Sequence, residues 1–117
     1  MENKAFAEKL EHRTRAFAVD IIRLSACLPT TPEGMVIRNQ LTKAGTSIGA
    51  NYRESNRARS KADFKSKIRI CESEASETMY WLEIINDLKW LALEKIEPVN
   101  NECSELLALF TSIAKGI

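Results

Sequence analysis

Residues 40–85 read QLTKAGTSIGANYRESNRARSKADFKSKIRICESEASETMYWLEII, and their spacing sets the fold. In the later half, Phe64, Ile68, Cys71, Ala75, Thr78, Leu82 and Ile85 step by 4, 3, 4, 3, 4, 3. That rhythm keeps one stripe of an α-helix turned towards its neighbours. Upstream, Ile37, Leu41, Ala44 and Ile48 step in the same way, and the stripe continues onto Asn51 and Ser55. A polar side chain is therefore expected on the seam at Asn51. Gly45, Gly49 and Ala50 put three small residues inside the same helix. Each mid-helix glycine costs about 1 kcal/mol against alanine. Close approach of another helix would offset that cost; the alternative is a helix simply weakened there.

The basic segment SNRARSK joins these two helices. Ser60, with Asp63 three residues later and Phe64 opening the seam, fits a helix N-terminal box. Working outward, residues 4–27 predict a first helix with an apolar stripe of Phe6, Leu10, Phe17, Ile21, Leu24 and Leu28. Arg13, Thr14 and Arg15 interrupt that stripe on its expected wet side. Leu28-Pro29-Thr30-Thr31-Pro32-Glu33-Gly34 cannot continue a helix. Thr30 or Thr31 is placed to cap the second helix, expected over 33–56, with Pro32 near its first turn. The third helix is expected to end near Lys89. Trp90 to Leu93 form an apolar link expected to fold back onto the core. A fourth helix is expected over 95–114 through Ile96, Val99, Cys103, Leu106, Leu107 and Phe110, with Pro98 in its first turn. No run alternates in the manner of a strand. The expected architecture is all-α: one domain spanning 1–117, an antiparallel up-and-down four-helix bundle.

The chain carries 17 Lys and Arg against 16 Asp and Glu, a net of +1. No global field draws it to nucleic acid or membrane. The distribution is less even. Arg53, Arg57, Arg59, Lys61, Lys65, Lys67 and Arg69 face only Glu54 and Asp63 in their stretch, a net of +5. Between Glu72 and Glu105, nine acids face Lys89 and Lys95, a net of −7. Cys27, Cys71 and Cys103 are odd in number and lack metal-knuckle or CxxC spacing, which fits a reducing cytoplasm. Cys71 lies on the seam and reads as a small core residue. The N-terminus has no apolar signal-peptide core, and no apolar run is long enough to span a membrane.

The run QLTKAGTSIGANYRES, the basic turn, and then ESEASETMYWLEII resemble the four-helix bundle family named after intervening sequences of bacterial 23S ribosomal RNA genes. The pairing of Ser47–Glu54 with Glu74–Leu82 is the specific part, and Leu28-Pro29 matches the family's Leu-Pro after its first helix. The resemblance covers nearly the whole chain. It implies a left-handed four-helix bundle assembled as a homopentameric ring. It also implies kinship with the accessory protein of diversity-generating retroelements, a pentamer that binds nucleic acid and its reverse transcriptase. The role of most members is unknown.

Candidate chemistry is limited. Asn51, Glu54, Glu74 and Glu77 are placed to meet between the second and third helices. They read as a polar network fixing helix register, and alternatively as a carboxylate cluster for acid–base work or metal binding. His12 is the one histidine, and Glu-x-x-His is absent, so a di-iron site has no basis and no metal or cofactor is expected. Nucleophilic catalysis lacks a base in an evident place, and Gly45 and Gly49 do not make a phosphate loop. The chain is expected not to be an enzyme.

The strongest functional candidate is the basic corner. Arg53, Arg57, Arg59, Lys61 and Lys65 are the expected RNA- or DNA-binding residues, without sequence preference because no aromatic residue is interleaved. A solvated, salt-bridged corner is the plain alternative. Tyr80 and Trp81, adjacent and so pointing apart, are the expected oligomer-interface aromatics, the alternative being packing within the chain against the fourth helix. The partners expected are other copies of the chain, RNA or DNA, and alternatively a protein docking on the assembly.

Overall fold

The computed structural model describes residues 3–117. Four α-helices account for nearly all of them, with no strand among the described residues: α1 (Lys4–Ser25), α2 (Pro32–Ser55), α3 (Lys61–Leu88) and α4 (Leu93–Lys115). Each packs against two others, in the cyclic order α1–α2–α3–α4 and back to α1. The helix starts follow from cap chemistry. The side-chain oxygens of Asn3, Thr31 and Ser60 accept from the backbone N–H of Phe6, Gly34 and Asp63 at 2.8, 3.1 and 3.0 Å. Each satisfies an N–H that the helix itself leaves open. Of the two threonines that could cap α2, Thr31 does so, with Pro32 at the first helical position.

The expected boundaries shift at two places. α1 ends at Ser25, two residues short of the expected end. α4 starts at Leu93, so Pro98 sits in the second turn rather than the first. There it withholds a helical N–H from the carbonyl of Glu94, an exposed residue. α3 closes through Lys89 in the left-handed conformation, φ 55°. The Trp90 N–H then reaches back to the Ile85 carbonyl at 3.3 Å. Trp90 and Leu91 pack partly onto the core, as expected, but Ala92 and Leu93 are exposed.

All seven seam positions of α3 are buried. In α2 the seam is Leu41, Ala44, Ile48, Tyr52 and Ser55. The expected route through Asn51 is therefore corrected. After Ile48 a step of 4 to Tyr52 and then 3 to Ser55 is the same heptad rhythm entered in the other order. Burying a tyrosine ring removes far more apolar surface from water than burying an asparagine. In α1, Thr14 is fully buried rather than wet. Its hydroxyl donates to the Leu10 carbonyl at 2.9 Å, which lets it sit on the seam. Phe6, expected in the stripe, is 38% exposed.

The small residues of α2 lie against α1. A Cβ on Gly45 would stand 2.7 and 2.8 Å from the two γ-carbons of Ile21, and one on Gly49 would stand 3.0 Å from the Thr14 hydroxyl. The close-approach reading of the glycines is thus the one the packing follows. Gly45→Ala is expected to lose about 1–2 kcal/mol of stability despite its better helix propensity, because Ile21 is fully buried and stiff at its β-branch. In an Ile21→Ala background the same change should cost nothing or stabilise. A double-mutant cycle by urea unfolding reads the difference; equal effects in both backgrounds would refute the contact.

The α1–α4 seam is closed by charge. Arg13 donates through Nε and Nη2 to the Glu102 carboxylate, both at 2.7 Å, and through Nη2 to Glu105 at 2.9 Å. The bidentate Glu102 contact holds the guanidinium charge more firmly than in water. Arg13, expected to be merely wet, is a clamp between the first and last helices.

Cys27 is exposed, while Cys71 and Cys103 are buried. The Cys103 thiol donates to the Ala75 carbonyl at 3.4 Å across the α3–α4 contact. Burial pushes this thiol up to about 12, helped by the Glu102 charge. Its raised value means the folded protein keeps a proton that the unfolded chain releases above its ordinary 9.0. The thiol's contribution is therefore full below pH 9 and is lost as pH climbs towards 12, with stability falling by about 1.4 kcal/mol per pH unit. Denaturant unfolding between pH 8 and 11 should show a shallower alkaline decline in Cys103→Ala than in the parent. Parallel slopes would count against it.

Candidate nucleic-acid interface

The corner between α2 and α3 is built by backbone bonds that wind the chain out of one helix and into the next. The N–H groups of Asn56, Arg57 and Ala58 donate to the carbonyls of Tyr52, Glu54 and Ser55 at 3.2, 3.0 and 3.1 Å. Ser55 is buried, and its hydroxyl donates to the Tyr52 carbonyl at 2.6 Å. Ala58 packs against the core. The Asn56 amide donates to Glu11 of α1 at 2.8 Å. The turn is thus held from below and from the side, while Arg57 and Arg59 flank the anchored Ala58 and remain exposed. Ser60 then caps α3, and Lys61 and Lys65, one turn apart, share a face of it.

The basic residues divide into two groups. Arg53 lies 3.7 Å from Glu11, and Arg69 lies 2.9 Å from Glu72. Arg57, Arg59, Lys61, Lys65 and Lys67 have no ion pair among the described residues. Arg57, Arg59 and Lys61 are exposed; Lys65 and Lys67 are half-buried. Glu11 was not singled out in the sequence. Its only sequence signal is an acid on the polar face of α1, which does not say which basic residue it meets.

The four residues expected to form a polar network are not joined to one another. Asn51 turns its amide to the Ser47 carbonyl of its own helix at 2.9 Å. Glu54 is exposed and Glu74 half-buried. Glu77 accepts from the Trp81 indole at 3.2 Å, one turn along α3. The cause is the corrected α2 seam: with Tyr52 pointing inward, Asn51 and Glu54 fall to the side. Among the described residues no group of three or more His, Cys, Asp or Glu side chains could hold a metal ion. His12 is exposed and lines a shallow cleft with Glu8, Glu11, Arg15 and Arg53.

Tyr80 is 55% exposed and Trp81 is half-buried, their rings 5.0 Å apart at 65°. Tyr80 borders a groove shared by α3 and α4 whose walls include Glu72, Ser76, Glu77 and Leu107. The Thr111 hydroxyl and then Arg69 hold the Glu72 carboxyl below its ordinary value, by hydrogen bonds of 2.7 and 2.9 Å. None of the four helices is long and apolar enough to cross a membrane.

Comparison with known proteins agrees with this architecture. A crystal structure of a protein of unknown function from the S23 ribosomal protein family of Bacteroides thetaiotaomicron, at 1.70 Å resolution, superposes with a TM-score of 0.83. The two are 39% identical, over 90% of this chain and 97% of the other. No curated protein matches the sequence. Residues 9–112 match the family described as 23S rRNA-intervening sequence protein. That span takes in all of α2 and α3 and most of α1 and α4, and the chain belongs to the 23S rRNA-intervening sequence protein family.

Proposed function

We propose that this protein is a non-enzymatic, homo-oligomeric accessory or scaffold protein of the cytoplasm that binds RNA or DNA through its α2–α3 corner. One observation carries the nucleic-acid reading: four cations, Arg57, Arg59, Lys61 and Lys65, gather at one helix corner with no ion pair among the described residues. Phosphates can do so, with release of counterions. The names of the matched family and of the structural neighbour both refer to the ribosome or its RNA, which makes structured RNA a sensible first ligand.

We read the helices as an antiparallel up-and-down bundle. The support is the order of cross-helix pairs. Glu11 meets Asn56 while Ser25 meets Thr42. Glu72 meets Thr111 while Ala75 meets Cys103. Arg13 meets Glu102 while Cys27 meets Lys95. In each case the chain advances along one helix as it recedes on the next. Assembly as a homopentamer, with Tyr80 and Trp81 at the contact, rests on the family resemblance and on the exposed Tyr80 ring. A second reading, a protein-binding adaptor without a nucleic-acid role, is favoured by Ile70, Tyr80 and Leu88, apolar side chains exposed on α3.

Fluorescence anisotropy with structured RNA and duplex DNA, at low and physiological salt, tests the first reading against the second. Native mass spectrometry in the same buffers reads the assembly. Salt-sensitive binding by an oligomer, lost in Arg57→Glu/Arg59→Glu, is the expected result. Absence of binding at low salt would retire the nucleic-acid reading, and a monomer would retire the oligomer.

A further inference from the structure

We infer that the corner engages the phosphate backbone of a duplex rather than a single strand, and that Arg57, Arg59, Lys61 and Lys65 make the contacts. This rests on the nucleic-acid reading proposed above and narrows it in two respects.

The first respect is which cations are available. Arg53 and Arg69 belong to the basic stretch by sequence, but each already faces a carboxylate, at 3.7 and 2.9 Å. Binding phosphate through either would mean giving up an existing partner. Arg57, Arg59, Lys61 and Lys65 have no such partner among the described residues. They also sit on backbone that is already fixed. Two flank Ala58, which is packed on the core, and two share one face of the first turns of α3. Lys67, two residues beyond Lys65, points away from that face.

The second respect is the form of nucleic acid. Affinity for a flexible single strand depends on aromatic rings on which bases stack. The rings carried by the helix ends at the corner, Tyr52 and Phe64, are 0% and 2% exposed and point into the core. The exposed Tyr80 lies 19 residues along α3 from Lys61, about 28 Å at 1.5 Å per residue. A corner of cations on anchored backbone, whose own two rings are buried, suits a ligand whose phosphates are already held in a dense, rigid row. A duplex supplies that row in either RNA or DNA; a single strand must be ordered first, and it releases fewer counterions per contact. Phe6, at the start of α1, is an exposed phenyl ring near this end of the molecule and serves as the control.

The test is anisotropy with short labelled duplex RNA, duplex DNA and the corresponding unstructured single strands, titrated with the full chain between about 50 and 200 mM salt. Four phosphate contacts predict a log–log salt slope of about −3.6 for a duplex, or roughly a 150-fold loss of affinity over that range. Both duplexes should bind at least about tenfold more tightly than the single strands at the lower salt. Arg57→Gln, Arg59→Gln, Lys61→Gln and Lys65→Gln should each reduce the slope by about 0.9. Arg53→Gln, Arg69→Gln and Phe6→Ala should leave it unchanged, with circular dichroism confirming helical content in every variant. Single strands bound as tightly as duplexes, or binding lost in Phe6→Ala, would overturn the duplex assignment while leaving nucleic-acid binding intact. No binding of any of the four ligands at the lower salt would overturn the broader reading as well.

Discussion

Tyr52→Ala is expected to cost about 3–5 kcal/mol of stability, while Asn51→Ala, one residue away, should cost less than about 1 kcal/mol. The tyrosine is fully buried, and its ring lies 5.5 Å from that of Phe110 at 59°, joining α2 to α4 across the core. Removing it opens a cavity among Tyr52's neighbours and deletes an aromatic pair worth about 0.5–1.5 kcal/mol beyond its area. Asn51 is half-buried and hydrogen-bonded only to Ser47 of its own helix. Alanine there loses one local bond and gains helix propensity. Urea unfolding at fixed protein concentration compares the two, the concentration being held because self-association would add its own stabilisation. For Tyr52→Ala the melting temperature should fall by more than about 10 °C. If Asn51→Ala proved the more damaging variant, the α2 seam would run through Asn51 after all, and the polar network expected from the sequence would be restored.

That pair of residues also marks where the sequence stopped being legible. The four helices could be read because their seams repeat over many turns and because turn and cap residues punctuate them. α3 was fully readable: its heptad has no competing frame, and all seven seam positions are buried. α2 was readable only as far as Ile48. Beyond it, steps of 3 then 4 and of 4 then 3 both land on Ser55, and spacing alone cannot choose between Asn51 and Tyr52. Only the area each side chain buries decides. Thr14 is illegible for a related reason: a hydroxyl counts as polar in a pattern, yet it can bond its own helix and go inside. At the corner, the sequence identified the charge but not its pairing. Which of seven cations keep an acid partner depends on Glu11 and Glu72, which reach Arg53 and Arg69 from α1 and from the next turn of α3. The α1 contact is non-local, so no local pattern reveals it.

Gly34→Ala is expected to destabilise the protein by about 2–4 kcal/mol, although alanine is the better helix former. Gly34 lies in the first turn of α2, where its N–H donates to the Thr31 cap at 3.1 Å. The preceding Leu28–Thr30 segment folds back over that turn. An added Cβ would lie 2.0 Å from the Pro29 carbonyl oxygen and 2.7 Å from its carbon. Both are backbone atoms, so no rotamer change relieves the overlap. The backbone angle of Gly34 is not positive, so the demand is for space alone. Relief requires the connection to move. Leu28 at one end of it is buried in the core, and Thr31 at the other end caps the helix. Moving either loses packing or the cap, and the cap alone is worth about 1 kcal/mol. Gly116→Ala is the matched control, because a Cβ there meets nothing closer than 3.6 Å. It should leave stability within about 0.5 kcal/mol of the parent. Thermal and urea unfolding of the two variants separate the steric cost from the loss of unfolded-chain freedom that any glycine-to-alanine change brings. Equal stability would mean that the connection from α1 yields without cost, and that Thr31 rather than the close approach of Pro29 fixes where α2 begins.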